Sequence, residues 1–213
     1  MLRSCDTMVA LRATTANGQT LFAKNSDRPP DECQPLVQRE RLTHPPGAVT
    51  RCQFVELPEV RETWRHVGSR PYWCWGYEHG FNEYQVVVGN EGLASRIVNP
   101  EHKLIGMEVL RLGLERARTA AEAVEVMTDV ITRYGQGKFD AGEVRTYDNG
   151  YIVADPREAY VIETAGHHWA VRRVEKTTGI SNVYSIGTDW DRLSLNAEGN
   201  AIDQGWWECG RGR

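Results

Sequence analysis

The order of the predicted elements limits the fold of this chain of 213 residues more than any single motif does. Apolar residues recur with helical spacing over 104–118 and again over 119–135, where Thr119 and Glu122 form a capping box and Gly135 ends the pattern. Runs typical of short strands lie on both sides of this helical pair. Because strands and helices do not alternate, the order excludes a doubly wound parallel sheet. It predicts an α+β protein with largely antiparallel sheets covered by helices.

The first strands are predicted to form a β-hairpin. Residues 7–11 and 19–23 are rich in β-branched and apolar side chains, and a polar stretch with an Asn-Gly pair separates them. If the chain folds back near residue 16, Cys5 lies opposite Asp27, and a tighter turn moves this match by only a few residues. Cys5 and the segment after the second strand should therefore share one end of a sheet.

Further strands are predicted on both sides of the helices. Prolines interrupt the stretch from 28 to 50 and leave room for one edge strand at 36–40. The run at 84–89 ends in Gly89-Asn90-Glu91, which places polar groups at the end of a buried strand. The other predicted strands are 52–57, 151–154, 159–163 and 169–174. The signal weakens beyond 189, and we expect a fold that is incomplete at the C-terminus.

Composition and charge exclude several classes of function. An apolar fraction of 40% and a charged fraction of 25% are ordinary for a globular domain. The net charge of -4 and the scattered basic residues indicate no nucleic-acid partner. No apolar run approaches the roughly 20 residues that a membrane crossing requires, so no membrane insertion is expected. We expect a cytoplasmic protein, and a homo-oligomer is compatible with the sequence.

The cysteines indicate neither a disulfide framework nor a metal site. They form an odd, widely spaced set without a Cys-x-x-Cys pair, at Cys5, Cys33, Cys52, Cys74 and Cys209. Free thiols fit a reducing compartment. The sequence shows no cluster of metal ligands, and we predict no cofactor and no metal.

Cys5 is the cysteine with a candidate catalytic role. A catalytic cysteine attacks as a thiolate and needs a base, but no histidine can be paired with Cys5 from the sequence. An N-terminal cysteine carries its own base, because a free α-amine has a pKa of about 7.7–8.0. Residues 1–4 would then be a short leader that must be removed, with 5–213 as the hydrolase domain. The alternative is that Cys5 is a small apolar residue that opens a strand.

A series of short motifs runs along nearly the whole chain. It begins with residues 5–11 and with 21–29, which contain Lys-Asn-Ser-Asp-Arg-Pro. It continues in order through 69–76, 89–91, 106–107, 110–117, 134–137, 163–166 and 180–182. In content and order these segments resemble the secernins and the bacterial dipeptidases of peptidase family C69. A match of this length is specific, whereas Asn-Ser-Asp alone would not be.

The resemblance implies an N-terminal-nucleophile hydrolase fold, an αββα sandwich in which the nucleophile opens an inner strand of two stacked antiparallel sheets. It implies a cysteine-dependent amidohydrolase of the dipeptidase type, with small peptides or amides as substrates. The alternative is a non-enzymatic secernin-like protein with a role in exocytosis or trafficking. Proteins of this type are much longer than this chain, so an inactive truncated fragment is a third interpretation.

The resemblance also assigns site residues, with Cys5 as the nucleophile. Through a more distant likeness to bile-salt and penicillin-V hydrolases, Asp27 would bind and orient the Cys5 amine. Lys24 takes the place of a basic residue that lowers the thiol pKa or polarises the substrate carbonyl. Asn90 would complete the oxyanion hole, and Asn182 would be the second asparagine of the site. From the residues alone, Lys24 could equally be a solvated strand end and the others turn residues.

Overall fold

Short strands make up most of the regular structure in the computed structural model, which describes residues 5–138 and 147–207. The helices are α1 (Gly106–Arg116), α2 (Ala120–Tyr134) and α3 (Ala197–Asp203). The strands are β1 (Asp6–Ala10), β2 (Leu21–Asn25), β3 (Leu36–Arg39), β4 (Leu42–Thr43), β5 (Val49–Arg51), β6 (Glu56–Pro58), β7 (Glu62–Thr63), β8 (His66–Ser69), β9 (His79–Asn82), β10 (Val87–Leu93), β11 (Asp148–Ala154), β12 (Ala159–Ala165), β13 (His168–Arg173), β14 (Thr177–Ile180) and β15 (Arg192–Leu193).

Two antiparallel sheets carry the fold. The smaller sheet has the order β14-β1-β2, with β1 at its centre. The larger sheet has eight strands in the order β15-β13-β12-β11-β10-β9-β8-β3. Two short pairs, β4 with β7 and β5 with β6, lie outside these sheets. The predicted α+β class with antiparallel sheets is confirmed. β3 lies at the edge of the larger sheet and corresponds to the edge strand predicted at 36–40.

The sheets and helices stack in layers because each strand has one apolar face. In β1, Val9 is buried and packs with Ile152 and Ile180 in a core between the two sheets. A second core joins the larger sheet to α1 and α2, with Leu110 and Met127 among its members. The order is therefore helices, larger sheet, smaller sheet, which corresponds to three layers of the predicted sandwich.

The hairpin of β1 and β2 follows the predicted register to within one residue. Asp6 pairs with Asn25, so Cys5 comes opposite Ser26 and next to Asp27. The connection is longer than a tight Asn-Gly turn, because a 3₁₀ turn at Arg12–Thr14 lies within it.

Two predicted strands are displaced because a turn lies inside each apolar run. Residues 52–55 form the turn of the β5–β6 hairpin, where the Cys52 nitrogen donates to the Val55 carbonyl at 2.9 Å. In the run at 84–89, Gln85 has a φ of 65°, so β10 begins only at Val87. Asn90 and Glu91 therefore lie inside a strand and not at its end.

The helical pair is confirmed almost as predicted. The Thr119 hydroxyl accepts a hydrogen bond from the Glu122 nitrogen at 3.1 Å, and Gly135 ends α2 with a φ of 69°. The capping box is half formed, since the Glu122 carboxylate accepts from the Arg118 nitrogen and not from Thr119. Across the described ranges, no helix combines the length and apolar character needed to cross a membrane.

Candidate active site

Three predicted site residues meet at the start of β1. β2 and β14 both run antiparallel to β1, so their C-terminal ends lie beside Cys5. Asp27 and Asn182 each lie two residues beyond the end of one of these strands. The Cys5 nitrogen donates to Asn182 Oδ1 at 2.7 Å, and the Asp27 nitrogen donates to Cys5 Sγ at 3.4 Å. The backbone of Cys5 and its sulfur are thus held by separate partners.

A cavity of about 550 Å³ opens beside the half-buried Cys5 side chain, and we refer to it as the cleft. This volume falls in the range of small-molecule sites. The wall of the cleft is rich in charged and polar groups and includes Cys5, Asp27, Arg28, Glu32, Glu78 and Asn182.

Lys24 lies beneath this site as part of a buried ion pair. Its Nζ donates to the Asn90 carbonyl at 2.5 Å and to the Glu91 carboxylate at 3.2 and 3.3 Å. The Thr7 hydroxyl also donates to Glu91. The side chains of Lys24 and Glu91 are almost completely buried between the two sheets, so the interpretation of Lys24 as a solvated strand end is wrong. A buried cation close to the thiol favours the thiolate form.

The Asn90 side chain points to the other face of the larger sheet. A Cβ at Gly89 would contact Lys24 and Thr7, so Gly89 and Glu91 face the smaller sheet while Asn90 faces the helices. One end of the Asn90 amide lies 3.0 Å from Asn149 Oδ1 and the other end faces Glu78; with its nitrogen turned toward Glu78, the amide donates to the Glu78 carbonyl at 2.8 Å and to Glu78 Oε2 at 3.1 Å. It is 1% exposed, and the structure does not place it among the residues that line the cleft. A shift of one residue in the strand would place the Asn90 side chain on the opposite face, since alternate residues of a strand face opposite sides.

The Cys5 thiol is under opposing influences. Burial raises its pKa, Lys24 and the Asp27 N–H lower it, and Glu91 and Glu78 raise it, with a net increase above the ordinary value. The site therefore favours the neutral thiol while Cys5 is in a peptide bond to Ser4. Easier ionisation of the Cys5 thiol stays a prediction that depends on a freed α-amine. Residues 1–4, the predicted leader, lie outside the described residues.

Sequence reasoning assigned no role to several charged residues of the cleft. Arg28 donates twice to the Glu32 carboxylate, each time at 2.8 Å, and its NH1 lies 3.6 Å from Glu78 Oε1. Burial raises the pKa of Glu32, but hydrogen bonds from Arg28, Trp73 and Gln34 outweigh it and lower the pKa to about 2. Glu78 stands directly before β9, and its position after the aromatic residues of 72–77 is the signal by which the sequence could have identified it.

Buried carboxylates at the back of the site are protonated more readily than usual. Burial raises the pKa of Glu91 to about 7 against the opposing effect of Lys24 and Thr7. Burial also raises the pKa of Glu78, while Lys24 and Arg28 lower it. Within the part of the chain that the structure describes, no three His, Cys, Asp or Glu side chains are grouped as ligands for a metal ion.

Sequence comparisons relate the chain to known peptidases. Residues 76–190, more than half of the chain, match the model of "Peptidase family C69". A "Probable dipeptidase" of Latilactobacillus sakei is 25% identical over an alignment 191 residues long, and the alignment covers 81% of this chain and 37% of that protein. The chain thus spans little more than a third of the length of this curated relative.

Solved structures show the same fold. Two variants of the conjugated bile acid hydrolase of Clostridium perfringens each superpose with a TM-score of 0.53. They are 12% and 13% identical to this chain, of which they match 97% and 93%, and the match spans 62% and 57% of their own chains. The chain belongs to peptidase family C69 and has the fold of the N-terminal-nucleophile hydrolases.

Proposed function

We propose that this protein is a cysteine amidohydrolase that cleaves small peptides, with Cys5 as its N-terminal nucleophile. The observation that carries the proposal is the placement of Cys5 at the start of β1 and on the wall of the cleft, with Asp27 and Asn182 hydrogen-bonded to it. Family membership supports amide hydrolysis, and the dipeptidase relative supports small peptides as substrates.

The first chemical step is attack by the sulfur. Once residues 1–4 are removed, the α-amine of Cys5 accepts the thiol proton. Asn182 Oδ1, which already accepts a hydrogen bond from this nitrogen, orients the amine. The N–H of Asp27 stabilises the negative sulfur, because a hydrogen bond to the charged form favours that form. The sulfur then adds to the amide carbon of the substrate, whose oxygen becomes negative.

Asn182 is the residue we assign to this oxyanion. Its Nδ2 donates one hydrogen to the Gly92 carbonyl at 2.9 Å. A side-chain amide nitrogen has two hydrogens, so the second can point to the oxyanion in the cleft. The tetrahedral intermediate collapses when the ammonium of Cys5 gives its proton to the leaving amine, and a thioester remains. Water hydrolyses the thioester, releases the acid and restores the thiol.

The state of the N-terminus separates this proposal from a non-enzymatic secernin-like role. Intact-mass analysis of the purified full-length protein should find a chain that begins at Cys5, and this protein should hydrolyse dipeptides. A chain that keeps residues 1–4 and hydrolyses no dipeptide would favour the non-enzymatic role.

A further inference from the structure

Glu78 is a buried carboxylate of the cleft whose hydrogen bonding is incomplete. It is 2% exposed, and its Oε1 atom has no hydrogen-bond partner among the described residues. Its backbone is fixed on both sides, because its nitrogen donates to the Ser69 carbonyl at 2.9 Å and its carbonyl accepts from the Asn90 nitrogen at 3.3 Å. The backbone of Glu78 is therefore held beside the cleft, and its carboxylate lies buried in the cleft wall.

The two cations near Glu78, Arg28 and Lys24, donate their hydrogen bonds to other carboxylates. Arg28 NH1 is 3.6 Å from Glu78 Oε1, beyond hydrogen-bonding distance, while two other nitrogens of Arg28 bind Glu32 at 2.8 Å. Lys24 donates to Glu91 and to the Asn90 carbonyl. Two cations thus face three carboxylates, and Glu78 is the one without a direct hydrogen bond from either. A buried carboxylate in this state favours a cationic donor that enters from the cleft.

We propose that Glu78 binds the free α-ammonium group of the peptide substrate, an inference that rests on the function proposed above. In a peptide the ammonium nitrogen is bonded to the carbon next to the first carbonyl. A group that binds this nitrogen must therefore lie close in space to the nucleophile that attacks the carbonyl, at a distance no greater than the length of one substrate residue. Glu78 and Cys5 line the same cleft, and the charge of Glu78 acts on the Cys5 thiol.

This assignment makes Glu78 a specificity-determining residue. The cleft accepts the first residue of a peptide, and the bond that is cleaved follows this residue. A substrate whose amine is acylated loses the positive charge and can offer Oε1 of Glu78 only one neutral N–H, which is a weaker donor to a buried carboxylate. The protein should therefore prefer peptides with a free amino terminus over their N-acylated forms.

The test compares L-alanyl-p-nitroanilide with N-acetyl-L-alanyl-p-nitroanilide on the processed full-length protein. We expect the ratio of kcat/KM for the free amine to that for the acetylated amine to exceed one in the wild type. Glu78→Gln should lower this ratio roughly 10- to 100-fold, the range of a hydrogen bond to a charged group. The matched control is Glu83→Gln, which changes a carboxylate just after the other end of β9, outside the cleft and paired with Arg41, and should keep the ratio.

The outcomes separate this inference from the proposed function. Hydrolysis of both compounds with a ratio that Glu78→Gln does not change overturns the role of Glu78 and leaves the amidohydrolase intact. If Glu78→Gln does not fold, a wild-type ratio near one overturns the inference by itself. Hydrolysis of neither compound by the wild type overturns the proposed function together with this assignment.

Discussion

Asn182 Oδ1 accepts a hydrogen bond at 2.7 Å from the backbone nitrogen of Cys5, a residue 177 positions earlier in the chain. The same side chain donates to Gly92 in β10 and so connects the smaller sheet to the larger one. The nucleophile is therefore positioned by a contact between the two sheets.

Replacing the nucleophile should abolish turnover. Cys5→Ala in the full-length protein removes the atom that forms the thioester, and Cys5→Ser should retain at most a small residual rate, because a hydroxyl is much harder to deprotonate than a thiol. Dipeptide hydrolysis, followed by the release of amino acids, measures both variants. Undiminished turnover by a processed Cys5→Ala protein would rule out the mechanism.

The two asparagines should respond differently to replacement. Asn182→Ala should lower kcat by about 10²- to 10³-fold with a smaller change in KM, because an oxyanion forms only after attack begins. Asn90→Ala should instead lower the free energy of unfolding by about 1–3 kcal/mol, since its amide is buried against Asn149. Steady-state kinetics and denaturant titration distinguish these effects. A loss of kcat in Asn90→Ala as large as that in Asn182→Ala would show that Asn90 also acts on the oxyanion, as the sequence predicts.

Processing should change the reactivity of one thiol. Iodoacetamide near neutral pH should label Cys5 slowly while residues 1–4 are attached, because burial raises its pKa. Labelling should become roughly ten times faster once the α-amine is free, since reactivity follows the thiolate fraction. Peptide mapping gives the rate at each site. The exposed Cys33 is the internal control and should keep its rate, while Cys74, whose pKa burial raises to about 12, should stay unlabelled.

Glu91 should make the protein less stable as the pH rises. Its pKa is raised from 4.5 to about 7, so between these values the folded protein binds a proton that the unfolded chain has lost. The contribution of Glu91 to the free energy of unfolding is therefore full below about pH 4.5, falls through pH 7 and amounts to about 3 kcal/mol at most. Glu91→Gln should reduce this slope in denaturant titrations.

A control is needed because burial also raises the pKa of Glu108 to about 7 and of Asp148 to about 6, which gives slopes of the same sign. The comparison is therefore the difference between wild type and Glu91→Gln, measured at several pH values. Identical slopes in the two proteins would show that Glu91 titrates normally.

Local sequence patterns are sufficient to predict the two long helices and the position of Asp27 beside Cys5. The spacing of apolar residues and the Thr119 cap depend on neighbours within one turn, so α1 and α2 could be predicted within about two residues. The hairpin of β1 and β2 is also local, which explains why Asp27 was placed beside Cys5.

The remaining features depend on contacts that are distant in sequence. β14 was not predicted, because its short Thr-Thr-Gly-Ile run gains its partner only from β1. The face on which Asn90 lies is fixed by the turn at Gln85, which the apolar run does not reveal. The environment of Glu78 needs β8 and β10 on either side of it, so only the assembled sheet identifies its incomplete hydrogen bonding.

The pairing of β14 with β1 also controls when the site can exist. The two strands are separated by most of the chain, and contacts of this kind form slowly because a long segment must first be ordered between them. A nascent chain that has not yet reached Thr177 holds Cys5 without Asn182. The thiol thus meets its partner only after most of the described residues have been synthesised, so a shorter nascent chain cannot form the site.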